Sequence, residues 1–163
     1  VDPLTEEVLG YQAQEIGNAK LLSANDQEIT DLEVTRITEE VRHSDRLLPI
    51  VERIIDATFH PRAPEVTIED GFMIAVDGGV SQIGTMDIVV LNKGKRDGLE
   101  IGQILAVYQS GELVFDKLAQ ENVQLPDTKA GLAMVFEAFE KASYAIVLKS
   151  SRPLKIMDKV KNP

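Results

Sequence analysis

The 163-residue sequence contains no cysteine and no tryptophan, and only two histidines. The lack of Cys excludes disulfides, thiolate metal sites and thiol nucleophiles, and leaves the compartment undecided. His43 and His60 give no His-x-x-x-His spacing for zinc. Aromatic residues are 5% of the chain, so a core must be built from Ile, Val, Leu and Ala with Phe at a few points. No apolar run approaches the roughly 18 residues of a membrane-spanning helix. Val1 opens neither with an initiator Met nor with a basic-then-apolar leader, and the sequence reads as a fragment of a longer protein. Positive charge is also short: 17 Lys and Arg face 27 Asp and Glu, a formal net charge of −10. That excess of carboxylates disfavours a nucleic-acid partner and electrostatic docking to an anionic membrane, and suits a neutral or basic protein partner.

Apolar residues make up 44% of the chain, enough for a packed core. Short runs rich in β-branched residues recur between Gly, Asn, Asp and Pro. The clearest are Phe72–Val76, Met86–Leu91, Ile101–Tyr108, Gly131–Phe139 and Tyr144–Leu148. Their length and composition predict strands. Weaker runs lie at Val8–Ile16, Ile29–Ile37 and Arg46–Leu48, with polar residues on one face as in a half-exposed antiparallel sheet. Pro49 followed by Ile50, Val51, Ile54, Ile55 and Phe59 fits either a short helix or an extended linker. Pro61 and Pro64 then demand an extended path. The expected fold is mainly all-β: two small antiparallel barrel or sandwich modules, residues 1–49 and 67–163, joined by an extended or short helical linker at 50–66. A repeat of Gly-apolar, two strands and Asp-basic-apolar near a Pro relates the block from Gly10 to Pro49 to that from Gly131 to Pro163.

The sharpest local motif is Asn92-Lys93-Gly94-Lys95-Arg96-Asp97-Gly98-Leu99-Glu100-Ile101-Gly102. Gly94, Gly98 and Gly102 can take positive φ and Asp97 can bond its own backbone, so the segment reads as a structural turn that sends Leu99 into the core. A calcium loop is excluded, because Lys93 and Lys95 occupy the positions that need carboxylates. Gly79-Val80-Ser81-Gln82-Ile83-Gly84 is neither a nucleophile elbow, since Ile83 replaces the second Gly, nor a phosphate loop, since Thr85 replaces the Lys. It reads as a glycine-rich hairpin or bulge between paired strands. His43 lies in a polar turn and His60 in the linker, and neither has a catalytic context. The carboxylates Glu6-Glu7, Glu39-Glu40, Asp26 and Glu28 could hide a glycosidase pair, but aromatic sugar platforms are lacking. The expectation is a non-enzymatic module with no catalytic, metal or cofactor residues.

The segments Gly78–Gly84, Val89–Gly94, Arg96–Gly102 and Leu105–Tyr108 resemble the signature of LysM-bearing proteins associated with the type IV pilus secretin. So do Leu125-Pro126-Asp127, Gly131, Val135-Phe136, Phe139, Ser143-Tyr144-Ala145 and Asp158-Lys159-Val160, together with Thr5–Gly10 and Ser44–Pro49. The resemblance spans nearly the whole chain and is carried by turn and core residues. It implies a C-terminal region similar to part of a flagellar T-ring protein, seated in the periplasm against the outer-membrane secretin, with copies arrayed around the secretin ring. It also implies that peptidoglycan is held by a LysM module absent from these residues. The rival readings are a peptidoglycan-acting envelope hydrolase and a flagellar-ring assembly factor. Phe115–Asn122 matches no family motif and reads as a loop.

Overall fold

The computed structural model describes residues 1–24, 30–50, 59–79, 82–118 and 120–163. The chain is all-β: a closed six-stranded barrel and two separate two-stranded sheets. The strands are β1 Gly17–Ala24, β2 Thr30–Ile37, β3 Gly71–Val76, β4 Ile88–Leu91, β5 Ile104–Gln109, β6 Leu113–Asp116, β7 Glu121–Gln124, β8 Thr128–Ala138, β9 Ser143–Ser150 and β10 Lys159–Lys161. Two compact units result. One is Tyr11–Ile55; the other joins Val1–Gly10 to Asp56–Pro163.

The barrel follows the order β10-β3-β4-β9-β8-β5 and closes through the β5–β10 pair, every ladder being antiparallel. Closure leaves these short strands without an exposed edge. Alternation selects the interior. Val89 and Leu91 of β4, Ala133 and Val135 of β8, and Ala145 and Val147 of β9 are fully buried, while the residues between them are only partly so. Met73, Leu105, Val107 and Val160 join them in the core, with Ile68, Ile83, Leu99, Ala130, Ala138 and Leu154 around them. Outside, Tyr144 lies between Phe136, stacked at 6.1 Å, and Phe139, edge-on at 5.7 Å.

Three strands are entered through the same device. In Ile83–Val89, Leu99–Leu105 and Leu154–Val160, a buried Ile or Leu precedes a four-residue turn, and the side chain of the fourth residue accepts the first residue's N–H. The pairs are Asp87 with Gly84 at 2.7 Å, Gln103 with Glu100 at 3.1 Å and Asp158 with Lys155 at 2.9 Å. The third residue takes positive φ in each: Met86 at 75°, Gly102 at 87° and Met157 at 74°. That residue's N–H then reaches across to the carbonyl of a fully buried strand residue, Val147, Val135 and Met73 respectively, at 2.8 Å each time.

Several expectations from the sequence are altered. Met86 belongs to a turn, and β4 begins only at Ile88. The run Val8–Ile16 is not a strand; β1 begins at Gly17, and Arg46–Leu48 is likewise irregular. Among the described residues the block from Gly10 to Pro49 therefore holds the antiparallel pair β1–β2, while that from Gly131 to Pro163 supplies barrel strands, and the proposed repeat does not extend to the structure. The segment 51–58, where a helix or linker was in question, lies outside the described residues. From Phe59 the path is extended, with Arg62 bridged in parallel to Gln103. Phe115–Asn122 is no plain loop, since β6 and β7 form a hairpin across it.

Candidate interaction surface

The glycine-rich turn sits where β4 gives way to β5. These strands are not neighbours, so the turn carries the chain across one end of the barrel rather than forming a hairpin. Asp97 accepts the Gly94 N–H at 2.9 Å and Leu99 is fully buried. A side chain at Gly94 would strike Phe139 O at 2.5 Å and Ala142 N at 2.7 Å in the β8–β9 connection. Gly98, at φ 83°, lies against Val66, and Gly102, at φ 87°, lies against the His60 carbonyl. The four residues singled out from sequence thus share one structural task, sealing this end of the core. A shallow open cavity of about 450 Å³ lies beside them, floored by Leu99, Ile101 and Ala138 and spanned by the Arg62–Glu100 ion pair.

At the same end, residues 1–10 form a strap on the barrel. Asp2 is 6% exposed. Its Oδ1 accepts the N–H groups of Leu4 and Thr5 at 2.8 and 3.0 Å, while Oδ2 accepts Asn92 Nδ2 at 2.8 Å. Burial alone would raise this carboxyl, but the hydrogen bonds from Thr5, Asn92 and Leu4 outweigh it and hold the pKa at about 2. Glu7 accepts two bonds from the Arg96 guanidinium, at 3.0 and 2.8 Å, and pairs with Lys141 Nζ at 2.7 Å. Arg96 foremost, then Lys141, lower its pKa to about 2. Neither sequence motif nor charge pattern marked Asp2 and Glu7 as a pair; only the fold brings them to Asn92 and Arg96.

Of the carboxylates considered for catalysis, Glu7 and Glu39 have partners in the structure. Glu7 is committed to two cations, and its lowered pKa unfits it to act as a general acid near neutrality. Glu39 accepts from Gln14 Nε2 at 2.6 Å on an exposed surface, and Asp26 and Glu28 lie outside the described residues. His43 and His60 are exposed. Among the described residues no group of three or more His, Asp or Glu side chains could hold a metal ion, and no helix is long and apolar enough to cross a membrane.

The unusual surfaces are the two hairpins outside the barrel. On the β1–β2 sheet, Ala19 opposite Val34 and Leu21 opposite Leu32 place four apolar side chains on one face, and every residue of β2 is exposed. The β6–β7 hairpin projects where β5 ends and β8 begins, at the barrel end opposite the strap. Leu113 and Phe115 lie on one of its faces, Val114 opposite Val123 on the other, and Leu118 at its tip is 97% exposed. A two-stranded sheet with both faces wet is marginal alone, so these clustered apolar side chains form a candidate interaction surface. The composition of residues 113–124, short and without Gly or Pro at the turn, gave no hairpin signal. Comparison with protein-family models and with curated proteins gives no match for this chain.

Proposed function

We propose that this chain is a non-enzymatic accessory module of the periplasm that binds the outer-membrane secretin of the type IV pilus machine. Several copies would array around the secretin ring, and peptidoglycan would be held by a LysM module outside these residues. The observation that carries the reading is the pair of hairpins that expose apolar side chains outside a closed barrel whose own strands are all paired. The partner is supplied by the family resemblance. The residues that carry the resemblance occupy the seal and core of the barrel, Gly94, Gly98, Leu99, Gly102, Leu105 and Val135 among them, so the likeness speaks first for a common scaffold. Symmetry adds a constraint: a module with one docking site repeats around a ring-shaped partner.

The test is retention of the secretin from solubilised envelopes on the immobilised 163-residue chain. Retention is the expected result, and retention only by a longer protein carrying the LysM module would overturn the assignment. Incubation with purified sacculi separates the hydrolase reading. Release of muropeptides would replace a binding role with catalysis.

A further inference from the structure

We infer that the β6–β7 hairpin is a docking strand pair, and that one of its two edges takes an extended, basic segment of a partner protein as a third strand. This deepens the proposed function by naming the element that makes contact, and does not depend on which protein supplies the segment.

The main chain sets the geometry. The Leu125 N–H donates to the Glu112 carbonyl at 3.0 Å, so residues 112 and 125 form a hydrogen-bonded pair. In an antiparallel ladder such pairs alternate, which turns the main-chain groups of 114, 116, 121 and 123 inward, toward the partner strand. The N–H and C=O of Leu113 and Phe115 on β6, and of Asn122 and Gln124 on β7, then point away from the hairpin along its two edges. No further strand pairs with either edge among the described residues. Strand addition satisfies such groups and gains main-chain bonds without a unique side-chain code.

The side chains set the chemistry. Leu113 and Phe115 offer apolar contacts on one face, Val114 and Val123 on the other, so an added strand meets apolar neighbours on both sides. In sequence, residues 112–124 carry Glu112, Asp116 and Glu121 against Lys117, within a chain of net charge −10. A segment with basic ends is favoured over an acidic one, which like-charge repulsion rejects.

A blocked synthetic peptide alternating Val and Thr, with Lys at both ends, serves as probe, with its Glu-ended twin as control. The Lys peptide is expected to slow amide exchange at Leu113 and Phe115, or at Asn122 and Gln124, and to bind at least ten-fold more tightly than the Glu peptide. Phe115→Pro and Asn122→Pro each delete an outward N–H that the hairpin does not use, and one of them should abolish the protection. Phe115→Val keeps the N–H and retains binding, which separates the edge from the side chain. Equal binding of the two peptides, or protection that survives both prolines, overturns the inference. Protection without retention of the secretin supports it and removes the proposed function; retention without protection does the reverse.

Discussion

Asn92 Nδ2 donates to the Asp2 carboxylate at 2.8 Å, joining buried side chains 90 positions apart in the sequence. The same Asn92 accepts the Phe72 N–H at 2.7 Å and donates to the Asp70 carbonyl at 3.1 Å. One amide therefore ties the strap, the start of β3 and the end of β4. Asn92→Ala removes three hydrogen bonds at about 1 kcal/mol each, so a loss of about 3 kcal/mol is expected in urea unfolding. Asn92→Asp sets a second carboxylate against Asp2. It should cost more than Asn92→Ala at pH 7, and recover part of that loss relative to the parent chain as the pH is lowered through 4.

The strap carries a pH dependence of definite sign. Asp2 and Glu7 are held at about 2, below their ordinary values of 3.8 and 4.5. Depressed carboxyls contribute stability that is present above the unfolded pKa and lost as the pH falls toward the folded one. The window is therefore about pH 4.5 down to 2. Asp127, lowered by Lys159 and then Lys161, adds in the same sense. Asp158 is pushed up by burial and acts oppositely, its charged form being a cost that acid relieves. Side-chain carboxyl shifts of Asp2 and Glu7 followed by NMR should titrate in this window as the strap resonances broaden. Glu7→Gln should remove the Glu7 share of the effect.

Salt separates the two anchors. The Glu7–Arg96–Lys141 cluster is part-exposed, at 35 to 40% for its side chains, and is open to screening. Asp2 is buried and bonded to neutral donors. Raising ionic strength from 0.05 to about 1 M should therefore speed amide exchange around Glu7 more than at Leu4 and Thr5. Equal acceleration at both would mean the strap leaves as one piece.

Met86 is a site for stabilisation. It is 67% exposed and held at φ 75°, so little packing is lost on replacement. A left-handed L-residue costs about 1–2 kcal/mol, and glycine returns about 0.5–1 kcal/mol of that through the unfolded chain. Met86→Gly is expected to raise stability by up to about 1 kcal/mol, and Met86→Ile to lower it. Gly98→Ala should cost more than about 1 kcal/mol, because φ is 83° and the new methyl meets Val66. Adding Val66→Ala should recover only the steric part. Calorimetric Tm values for the four variants check these orders.

The barrel strands were largely legible because each buries alternate β-branched residues between turn residues, as in Ile88–Leu91 and Ser143–Ser150. The glycine turn was legible at Asp97, Gly98 and Gly102, which have direct conformational meaning, whereas Gly94 is extended at φ −141° and is required by close packing on Phe139 and Ala142 instead. The turn device at 83–89, 99–105 and 154–160 was hidden because Met86 and Met157 stand where glycine is expected, leaving one copy of three visible. β1 was displaced because Val8 and Leu9 supply apolar weight to a segment that instead joins the strap. β6 and β7 escaped because Lys117-Leu118-Ala119-Gln120 carries no turn residue, although Gln120 adopts φ 57°. The candidate surface was thus legible only in part: β2 falls within the run Ile29–Ile37 read as a half-exposed strand, while Phe115–Asn122 was read as a loop.

The closing strand has a consequence for biosynthesis. β10 is three residues long and is the stave between β3 and β5, with Val160 opposite both Gly71 and Val107. A ribosome making the chain from its amino end releases β3 about ninety residues before the strand that will cover it. Until then the nascent barrel is an open sheet with bare edges at β3 and β5, the configuration most prone to pairing with another chain. The late seam also spans a long loop, which slows closure. Yield of the folded form is therefore expected to be governed by how well those two edges are shielded during synthesis, and less by the stability of the finished barrel.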